Sequence, residues 1–550
     1  MRSSARLTLL SALTCLCFAV SSFAQSPGKQ QVKTPRGSIS GRITINDKPA
    51  PGVVVGLRKG ALDTSFDPFD QAVTDAEGIY RITNVPAGNY VVTVIAPTHV
   101  PTNSEDRRTV VVREDENVEG MNFSLVRGGV ITGKVTDAEG RPVLQQQIEI
   151  YSQPLIEVGK ALPFPAMSVK TDDRGIYRVF GLAPGRYLVA AGRGSEGYGG
   201  YSTTQFNPKQ VFYKQVFHPD ATDPAKATVI EVSEGGEAKD VDITLGRPGQ
   251  TFSASGRIIN RETNEPAPNV RFILRFIGRR MEPVIAVTSS DGQGDFVVEG
   301  LMPGKYSTAL IMNEGSDLRA EATTFEVIDR DVSGVTIKLN RGASISGIVI
   351  IESENKAAKT RLTELLVRSY VPPASGYHGH LNSSPIAADG SFRLAGIPNG
   401  VVNISLGEPR SPSPPTSFSI LRIERDGMPA PRIEVKEAEQ VTGVKIFVGY
   451  GNATIRGVVK IENGSLTSGT SRYVQVGRPG ESNTYLRQAM IDERGNFLVE
   501  GIPPGQYVLT VTVMGGGVNK TKTAKQEVSL TDGVVTDVRI TIDMATPDNP

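Results

Sequence analysis

Cysteine, tryptophan, histidine and an excess of charge of either sign are scarce or missing in this chain. Its 550 residues include two cysteines, four histidines and no tryptophan. So few histidines argue against most histidine-based catalysis, and the missing tryptophan argues against a Trp-lined sugar platform. Lys and Arg total 59 against 58 Asp and Glu, a net charge of +1. The electrostatic basis for binding nucleic acid is therefore missing as well, and we expect no nucleic-acid partner.

The N-terminal segment, residues 1–24, has the composition of a secretory signal peptide. Arg2 and Arg6 supply its basic part, the stretch from Leu7 to Val20 is apolar, and Ala24 ends a small-residue cleavage pattern. An N-terminal membrane anchor is the alternative, but the apolar stretch is short for a bilayer span and Ser and Thr interrupt it. We therefore expect export to the periplasm, the cell surface or the exterior.

Both cysteines, Cys15 and Cys17, lie inside this segment. After cleavage the mature chain, beginning at Gln25, has no thiol and no disulfide, although export usually permits disulfides. Its domains must therefore be stable through packing alone. No later apolar stretch reaches membrane-spanning length, and we expect no membrane span in the mature chain.

Glycine and proline are plentiful, and many of them belong to one repeated pattern. The pattern is Asp-x-x-Gly-x-aromatic, followed by a proline and then Gly-x-Tyr. In each of five copies the two glycines are ten residues apart. The glycine pairs are Gly78 and Gly88, Gly175 and Gly185, Gly294 and Gly304, Gly390 and Gly400, and Gly495 and Gly505. The fourth copy is degenerate, because Asp389 stands directly before its glycine and Val402 replaces the tyrosine.

The residue types of this pattern predict turns and strands. Asp caps a turn through its side chain, and glycine takes the positive-φ position that closes it. A calcium site needs several converging carboxylates, so turn capping is the favoured interpretation of one aspartate per turn. The aspartates concerned are Asp75, Asp172, Asp291 and Asp492. The aromatic residue begins a strand with an alternating apolar face, and the Pro-Gly turn reverses the chain, which predicts a hairpin in each copy.

More strands flank each predicted hairpin. Upstream lies a period-two strand centred on a glycine, and downstream lie two further strands. The central glycines are Gly41, Gly133, Gly256, Gly347 and Gly457. About seven short strands in roughly 100 residues correspond to a small β-sandwich. The segment 356–370 is helical by composition, but we interpret it as the strand equivalent to Val270 to Phe276.

We therefore predict an all-β protein, a tandem array of about five seven-stranded β-sandwich modules of prealbumin-like or Ig-like type after the signal peptide. The predicted ranges are 1–24 signal peptide, 25–36 linker, 37–127 repeat 1, 128–247 repeat 2, 248–341 repeat 3, 342–449 repeat 4, 450–543 repeat 5 and 544–550 tail. Closing and opening strands of successive repeats almost join, as at residues 125–131, which indicates a semi-rigid string of modules.

The repeat resembles the carboxypeptidase regulatory-like domain, a transthyretin-like sandwich with a starch-binding-like fold that is common in secreted bacterial proteins. The residues that carry the resemblance are the opening motifs Gly41 to Pro49 and Gly133 to Pro142, together with the glycine pairs given above. The resemblance covers nearly the whole mature chain and is specific for a fold rather than an activity. It implies a regulatory or accessory module, not a peptidase, and its starch-binding-like relatives imply carbohydrate binding.

Motifs that carry chemistry are missing from the sequence. None of the histidines, His99, His218, His378 and His380, has a Glu three residues on, as a metallocarboxypeptidase site would require. His378 and His380 would share one side of a strand, but a pair without further ligands is better explained as a solvated loop. No Gly-x-Ser-x-Gly elbow, P-loop or dinucleotide fingerprint occurs. We expect a non-enzymatic protein with no catalytic residue, cofactor or metal.

Repeat 2 carries an insertion, because the interval from Gly175 to Gly294 is longer than the neighbouring intervals. The extra chain is rich in glycine and aromatic residues, which offer ring faces to a sugar or anchors to a protein. The candidate ligand-binding residues are Tyr198, Tyr201, Phe206, Phe212 and Tyr213. The alternative is that these rings pack on their own sandwich and cover an edge strand.

The sequence thus predicts a non-enzymatic, exported, multi-module protein of the bacterial envelope or exterior, whose repeats bind ligands or act as spacers. The alternative is a carbohydrate-binding accessory protein with the repeat 2 insertion as its site. A third interpretation is a scaffold whose repeats bind one another or an outer-membrane partner. The expected partners are a polysaccharide or an envelope protein.

Overall fold

Alternating apolar and polar residues in each repeat form β-strands whose apolar sides face a shared core. The computed structural model describes residues 36–60, 69–102, 107–153, 165–192, 212–277, 284–311, 315–353, 355–372, 380–409, 415, 417–463, 471–480, 485–514 and 521–544. In these residues the chain is all-β apart from one short α-helix and short 3₁₀ turns, and its sheets form five tandem β-sandwich modules. The predicted fold class is confirmed.

Repeat 1 illustrates the arrangement of strands in two sheets. Its strands are β1 Arg36–Ile45, β2 Lys48–Pro49, β3 Val54–Lys59, β4 Asp70–Val73, β5 Ile79–Pro86, β6 Gly88–Ile95, β7 His99–Pro101, β8 Arg107–Val112, β9 Asn117–Val118 and β10 Phe123–Arg127. One sheet has the order β2-β1-β10-β7, with β5 and β9 also pairing with β1. The other has the order β4-β3-β6-β8, which leaves β8 at its edge.

Repeats 2 and 3 have the same two-sheet arrangement. The strands of repeat 2 are β11 Gly129–Thr136, β12 Gln147–Ser152, β13 Met167–Lys170, β14 Ile176–Leu182, β15 Gly185–Ala191, β16 Val216–Phe217, β17 Ile230–Val232, β18 Glu237–Ala238 and β19 Ile243–Thr244, with a 3₁₀ turn at Pro224–Lys226. Those of repeat 3 are β20 Phe252–Asn260, β21 Arg271–Phe276, β22 Val284–Ser289, β23 Asp295–Leu301, β24 Gly304–Leu310, β25 Leu318–Ala320, β26 Thr324–Val327 and β27 Val332–Arg341. Repeat 3 has the sheets β23-β20-β27-β25 and β22-β21-β24-β26.

Repeats 4 and 5 complete the array. The elements of repeat 4 are β28 Ala343–Glu352, α1 Lys356–Thr360, a 3₁₀ turn Leu362–Glu364, β29 Leu366–Val371, β30 His380–Pro385, β31 Ser391–Ile397, β32 Gly400–Gly407, β33 Phe418–Arg425, β34 Met428–Pro429, β35 Ile433–Val435 and β36 Gln440–Tyr450. Those of repeat 5 are β37 Ala453–Glu462, β38 Ser471–Gly477, β39 Tyr485–Met490, β40 Asn496–Ile502, β41 Gly505–Met514, β42 Thr521–Leu530 and β43 Val535–Asp543. Repeat 5 has the sheets β40-β37-β43 and β39-β38-β41-β42.

The first and last strands of every module are parallel and hydrogen-bonded to each other. In repeat 5, β37 pairs with β43 from Thr454↔Val535 to Glu462↔Asp543. The equivalent parallel pairs are β1 with β10, β11 with β19, β20 with β27 and β28 with β36. The two ends of each module are therefore joined directly through one ladder of hydrogen bonds.

The predicted hairpin in each repeat is wrong, because its two strands lie in opposite sheets. In repeat 1, β5 pairs with β1, whereas β6 pairs with β3 and β8. The apolar faces of both strands meet in the core, where Tyr80 and Tyr90 are almost completely buried. The Pro-Gly turn therefore carries the chain across the sandwich rather than back along one sheet.

A tyrosine hydrogen bond holds this crossing. The hydroxyl of Tyr90 donates to the carbonyl of Pro86, four residues earlier, at 2.9 Å. The same bond is made by Tyr187 to Ala183, Tyr306 to Met302 and Tyr507 to Pro503. Burial together with nearby Glu500 raises the pKa of Tyr90 to about 12, so its hydroxyl stays protonated and donates at physiological pH.

The central glycine of each opening strand has a packing role. At Gly256 an added Cβ would overlap the carbonyl oxygen of Val335 on β27. Gly41, Gly133 and Gly347 lie against the equivalent carbonyls of Met121, Val241 and Val444, and Gly457 lies against the ring of Phe497. Glycine is thus required because the closing strand and the aromatic ring approach the backbone closely.

Each module has its own hydrophobic core, built from the inner faces of both sheets. In repeat 1 the core contains Ile39 and Tyr80 from one sheet and Leu57, Tyr90 and Val92 from the other, all at most 2% exposed. The other repeats have separate core clusters of the same kind. The residue boundaries drawn between the modules from the sequence stay a prediction.

The segment 356–370 is helical at first and becomes a strand only at Leu366. The predicted strand is right for β29, which pairs with β30 and β32 as β21 pairs with β22 and β24. It is wrong for the preceding residues, where Ala358, Leu362 and Leu365 are buried at helical spacing. No helix among the described residues is long and apolar enough to cross a bilayer.

Candidate functional site

The repeat 2 insertion contains the five residues predicted to bind a ligand. Tyr198, Tyr201 and Phe206 lie outside the described residues. Phe212 is half-buried, and its carbonyl accepts a hydrogen bond from the amide of Gly249 at 2.7 Å. Tyr213 is 8% exposed and packs in the core of repeat 2, so its ring faces inward. Ligand binding by the insertion stays a prediction.

The described end of the insertion adds a layer to the outer face of repeat 2. Strand β16 pairs with β15, and Phe217 packs against Tyr151, Leu188 and Ala190 in a second, smaller cluster. The ring centroids of Phe217 and Tyr151 are 6.2 Å apart. This part of the insertion covers its own sheet, as the alternative interpretation of the sequence expected.

A buried carboxylate ties the insertion to this sheet. Glu149 on β12 is 8% exposed and accepts hydrogen bonds from the hydroxyl of Tyr151 at 2.5 Å and from Gln215 at 3.3 Å. Burial raises the pKa of Glu149, and its hydrogen bonds to Tyr151, Gln147 and Gln215 oppose that rise. Because Gln215 belongs to the insertion, these bonds fix the returning chain on β12.

The repeated aspartates cap their turns, which confirms the sequence interpretation. Oδ1 of Asp291 accepts from the amides of Gln293 and Asp295, both at 2.8 Å. Asp75, Asp172 and Asp492 make the same pair of bonds, two and four residues ahead. Within the described ranges no three or more His, Cys, Asp or Glu side chains form a group that could hold a metal ion.

The histidines lie in different modules or outside the described residues. His99 begins β7 of repeat 1 and His380 begins β30 of repeat 4. Nδ1 of His218 in repeat 2 is 2.5 Å from the carbonyl oxygen of Asp242. His378 falls outside the described residues, so its relation to His380 stays a prediction.

Arginines that the sequence reasoning missed hold neighbouring modules together. Arg487 of repeat 5 donates to the carbonyls of Pro415 and Phe418 at 2.8 and 2.9 Å. Burial lowers the pKa of Arg487 to about 10, yet the group remains charged at physiological pH. Arg393 of repeat 4 pairs with Asp317 of repeat 3 at 2.5 Å. These contacts give the junctions between repeats 3, 4 and 5 a defined geometry.

Five sandwiches of one pattern define a modular repeat protein, and the first of them matches a known domain family. Residues 38–126 match the carboxypeptidase regulatory-like domain family. The chain therefore contains a carboxypeptidase regulatory-like domain in repeat 1, as the resemblance of the sequence implied. Among curated proteins, none matches the chain.

Solved structures of other proteins match parts of this chain. The Bacillus anthracis TIE protein is 18% identical with a TM-score of 0.16, and the match covers 56% of this chain and 51% of that one. This chain thus spans about half of that protein. A streptococcal ancillary pilin is 12% identical with a TM-score of 0.24, covering 55% and 98%. Two B repeat units of the collagen-binding protein of Staphylococcus aureus are 12% identical with a TM-score of 0.15, covering 75% and 99%.

Proposed function

We propose that this protein is a non-enzymatic, exported scaffold of the bacterial envelope or exterior, whose repeats act as load-bearing spacers or binding modules. The observation that carries the proposal is the parallel pairing of the first and last strands in every module. A force applied to the chain enters a module through its first strand and leaves through its last. Because these strands are parallel neighbours, opposite pulls load all the hydrogen bonds of the ladder in shear at once.

The length of this ladder differs between the modules. In the described residues the parallel register contains nine pairs in repeat 5, eight in repeat 4 and six in repeat 3. In repeat 1 the opening strand has three such pairs with β10 and two with β9. In repeat 2 it has two with β18 and two with β19. Forced unfolding is governed by the barrier to unfolding, which should rise with the number of bonds loaded together.

Pulling the mature chain from both ends in a single-molecule force measurement tests this role. We expect five separate unfolding events, each releasing roughly 300 Å of chain for a module of about 100 residues. The unfolding forces should rank repeat 5 highest, then repeats 4, 3, 1 and 2. A chain truncated after residue 449 should lose the strongest event. Unfolding at uniformly low force, or a ranking unrelated to ladder length, would contradict a load-bearing role.

Export rests on the signal-peptide pattern of residues 1–24, which lie outside the described residues. The described module cores contain no cysteine, so they are held by packing and hydrogen bonds and not by disulfides. The partners proposed for such a scaffold are other components of the envelope.

Carbohydrate binding remains the alternative hypothesis and rests on the aromatic residues of the repeat 2 insertion. Binding of the mature chain to a panel of polysaccharides, compared with a chain lacking residues 194–211, tests it, because this deletion keeps the packed residues Tyr213 and Phe217. Binding that the deletion abolishes would support a sugar site in the insertion, and a chain that binds no polysaccharide would exclude it.

A further inference from the structure

The two ends of the array, repeats 1 and 5, are in contact although almost 400 residues separate the contacting groups. Nε of Arg108 on β8 lies 3.0 Å from the carboxylate of Glu493, which follows the capping aspartate of repeat 5. Arg113 donates to the side chain of Asn496 at 2.7 Å. Arg494 pairs with Glu116 at 2.9 Å. Two ion pairs and a charged hydrogen bond thus cross the contact.

Repeat 5 also bonds to the free backbone edge of repeat 1 at Val111. Strand β8 is the edge of its sheet, so outward-facing backbone groups along it have no neighbouring strand. The amide of Val111 donates to Oδ2 of Asp492 at 3.2 Å, and the carbonyl of Val111 accepts from Arg494 at 2.6 Å. The side chain of Asn89 on β6 donates to the carbonyl of Leu498 at 2.8 Å.

Comparison of the repeats shows that the β8 edge of repeat 1, which repeat 5 covers, differs from the equivalent edges of the other repeats. Val111 stands one residue before the edge-strand position that pairs with the second glycine of the motif. The equivalent residues in repeats 2 to 5 are Glu231, Glu326, Glu434 and Ser529, all exposed. Val111 is completely buried. A polar, solvent-facing position has therefore become apolar only where another module covers it.

The part of repeat 5 that faces repeat 1 likewise differs from the equivalent part of the other repeats, here in its burial. Leu498 follows the motif aromatic and points away from the core of its own module. The equivalent residues are Arg81, Arg178, Val297 and Arg393 in repeats 1 to 4. Val297 is 59% exposed, whereas Leu498 is 4% exposed. Asp492 is likewise buried, at 1% exposed, while Asp291 of the same motif is exposed.

We propose that repeat 5 docks specifically on strand β8 of repeat 1 and closes the array end to end within a single chain. Val111 and Leu498 are both buried although neither belongs to the core cluster of its own module, and two ion pairs cross the contact beside them. The occupant of the β8 edge is therefore repeat 5 of the same chain. This inference does not depend on the load-bearing role, since closure concerns how the modules are arranged and not how each one resists force.

The substitution Leu498→Arg tests the proposal, because it places at this position the residue that repeats 1, 2 and 4 carry. Repeat 5 should fold with it, but the charge cannot be buried against repeat 1. Small-angle scattering of the mature chain should show the maximum dimension increase by roughly 30 Å, about one module diameter. The matched control is Val297→Arg in repeat 3, which should leave the dimension unchanged.

A second variant and the molecular mass complete the test. Val111→Glu gives repeat 1 the residue of repeats 2, 3 and 4 and should open the chain to the same extent. Thermal unfolding checks that the modules of both variants are folded. Light scattering should find the wild-type chain to be a monomer. Variants that keep the wild-type dimension, or a wild-type dimer in which the contact joins two copies, would overturn closure within one chain.

Discussion

Replacing Gly256 by alanine is expected to unfold repeat 3 or to destabilise it by about 3 kcal/mol, the upper range for overpacking a core. The new Cβ would overlap the carbonyl of Val335 and press on the ring of Phe296. Neither group can move freely, because Val335 pairs in the closing strand and Phe296 packs against Phe272 with ring centroids 4.9 Å apart. Calorimetry and limited proteolysis of the mature chain should show repeat 3 losing its protection.

The matched control lies in the same module. Gly292 does not have a positive φ, and an added Cβ there meets no atom of the described residues within 4 Å. Gly292→Ala should change the free energy of unfolding by less than about 0.5 kcal/mol, as is usual for a surface substitution. If the two alanine variants were equally stable, the close approach of β27 would not be what selects glycine in the opening strand.

Removing the carboxylate of Asp492 should cost far more than removing that of Asp291, although both cap the same turn. Asp291 accepts two amide hydrogen bonds at an exposed site, and Asp291→Ala should destabilise repeat 3 by about 1 kcal/mol. Asp492 also pairs with Arg494 at 3.0 Å and accepts from the amide of Val111. Losing these additional charged hydrogen bonds should bring the cost of Asp492→Ala to about 3 kcal/mol.

Urea-dependent amide exchange, read separately on peptides of repeats 3 and 5, measures the two losses. Asp492→Ala should also speed exchange in β8 of repeat 1, because its edge would lose an acceptor. Asp291→Ala should leave β8 unaffected. Equal losses in the two modules, with β8 unchanged in both variants, would show that Asp492 acts only within its own turn.

The number of modules and the capping turns could be predicted from the sequence, because both rest on local chemistry repeated at fixed spacing. The sequence could not predict whether the two motif strands pair as a hairpin or cross from one sheet to the other. Tyr80 and Tyr90 each begin an alternating strand with one apolar face, and that pattern is the same whether the strands pair in one sheet or face each other across a core. The start of β29 is predicted too early for another reason, because Ala358, Leu362 and Leu365 are apolar at helical spacing and this local pattern prevails over the equivalence with repeat 3.

The candidate sites, too, could be predicted from the sequence only in part. In the repeat 2 insertion, aromatic residues marked an unusual segment, but composition alone does not distinguish a ring that binds a ligand from one that packs, as Tyr213 and Phe217 do. The contact between repeats 1 and 5 had a signal that alignment of the repeats makes visible. Val111 and Leu498 are apolar where most other repeats have charged residues at the same strand positions. The sequence does not show that both residues lie at the contact between repeats 1 and 5.

Native-state amide exchange in the wild-type chain tests the closed arrangement of the five modules most directly. The measurement compares one equivalent amide in the edge strand of each of repeats 1 to 4. The amides are those of Val111, Glu231, Glu326 and Glu434, which occupy equivalent places in repeats 1 to 4. Closure predicts that Val111, bonded to Asp492 and fully buried, exchanges slowly while the three glutamate amides exchange fast. Exchange of Val111 as fast as that of the glutamates would contradict the closed array and leave five modules joined only in chain order.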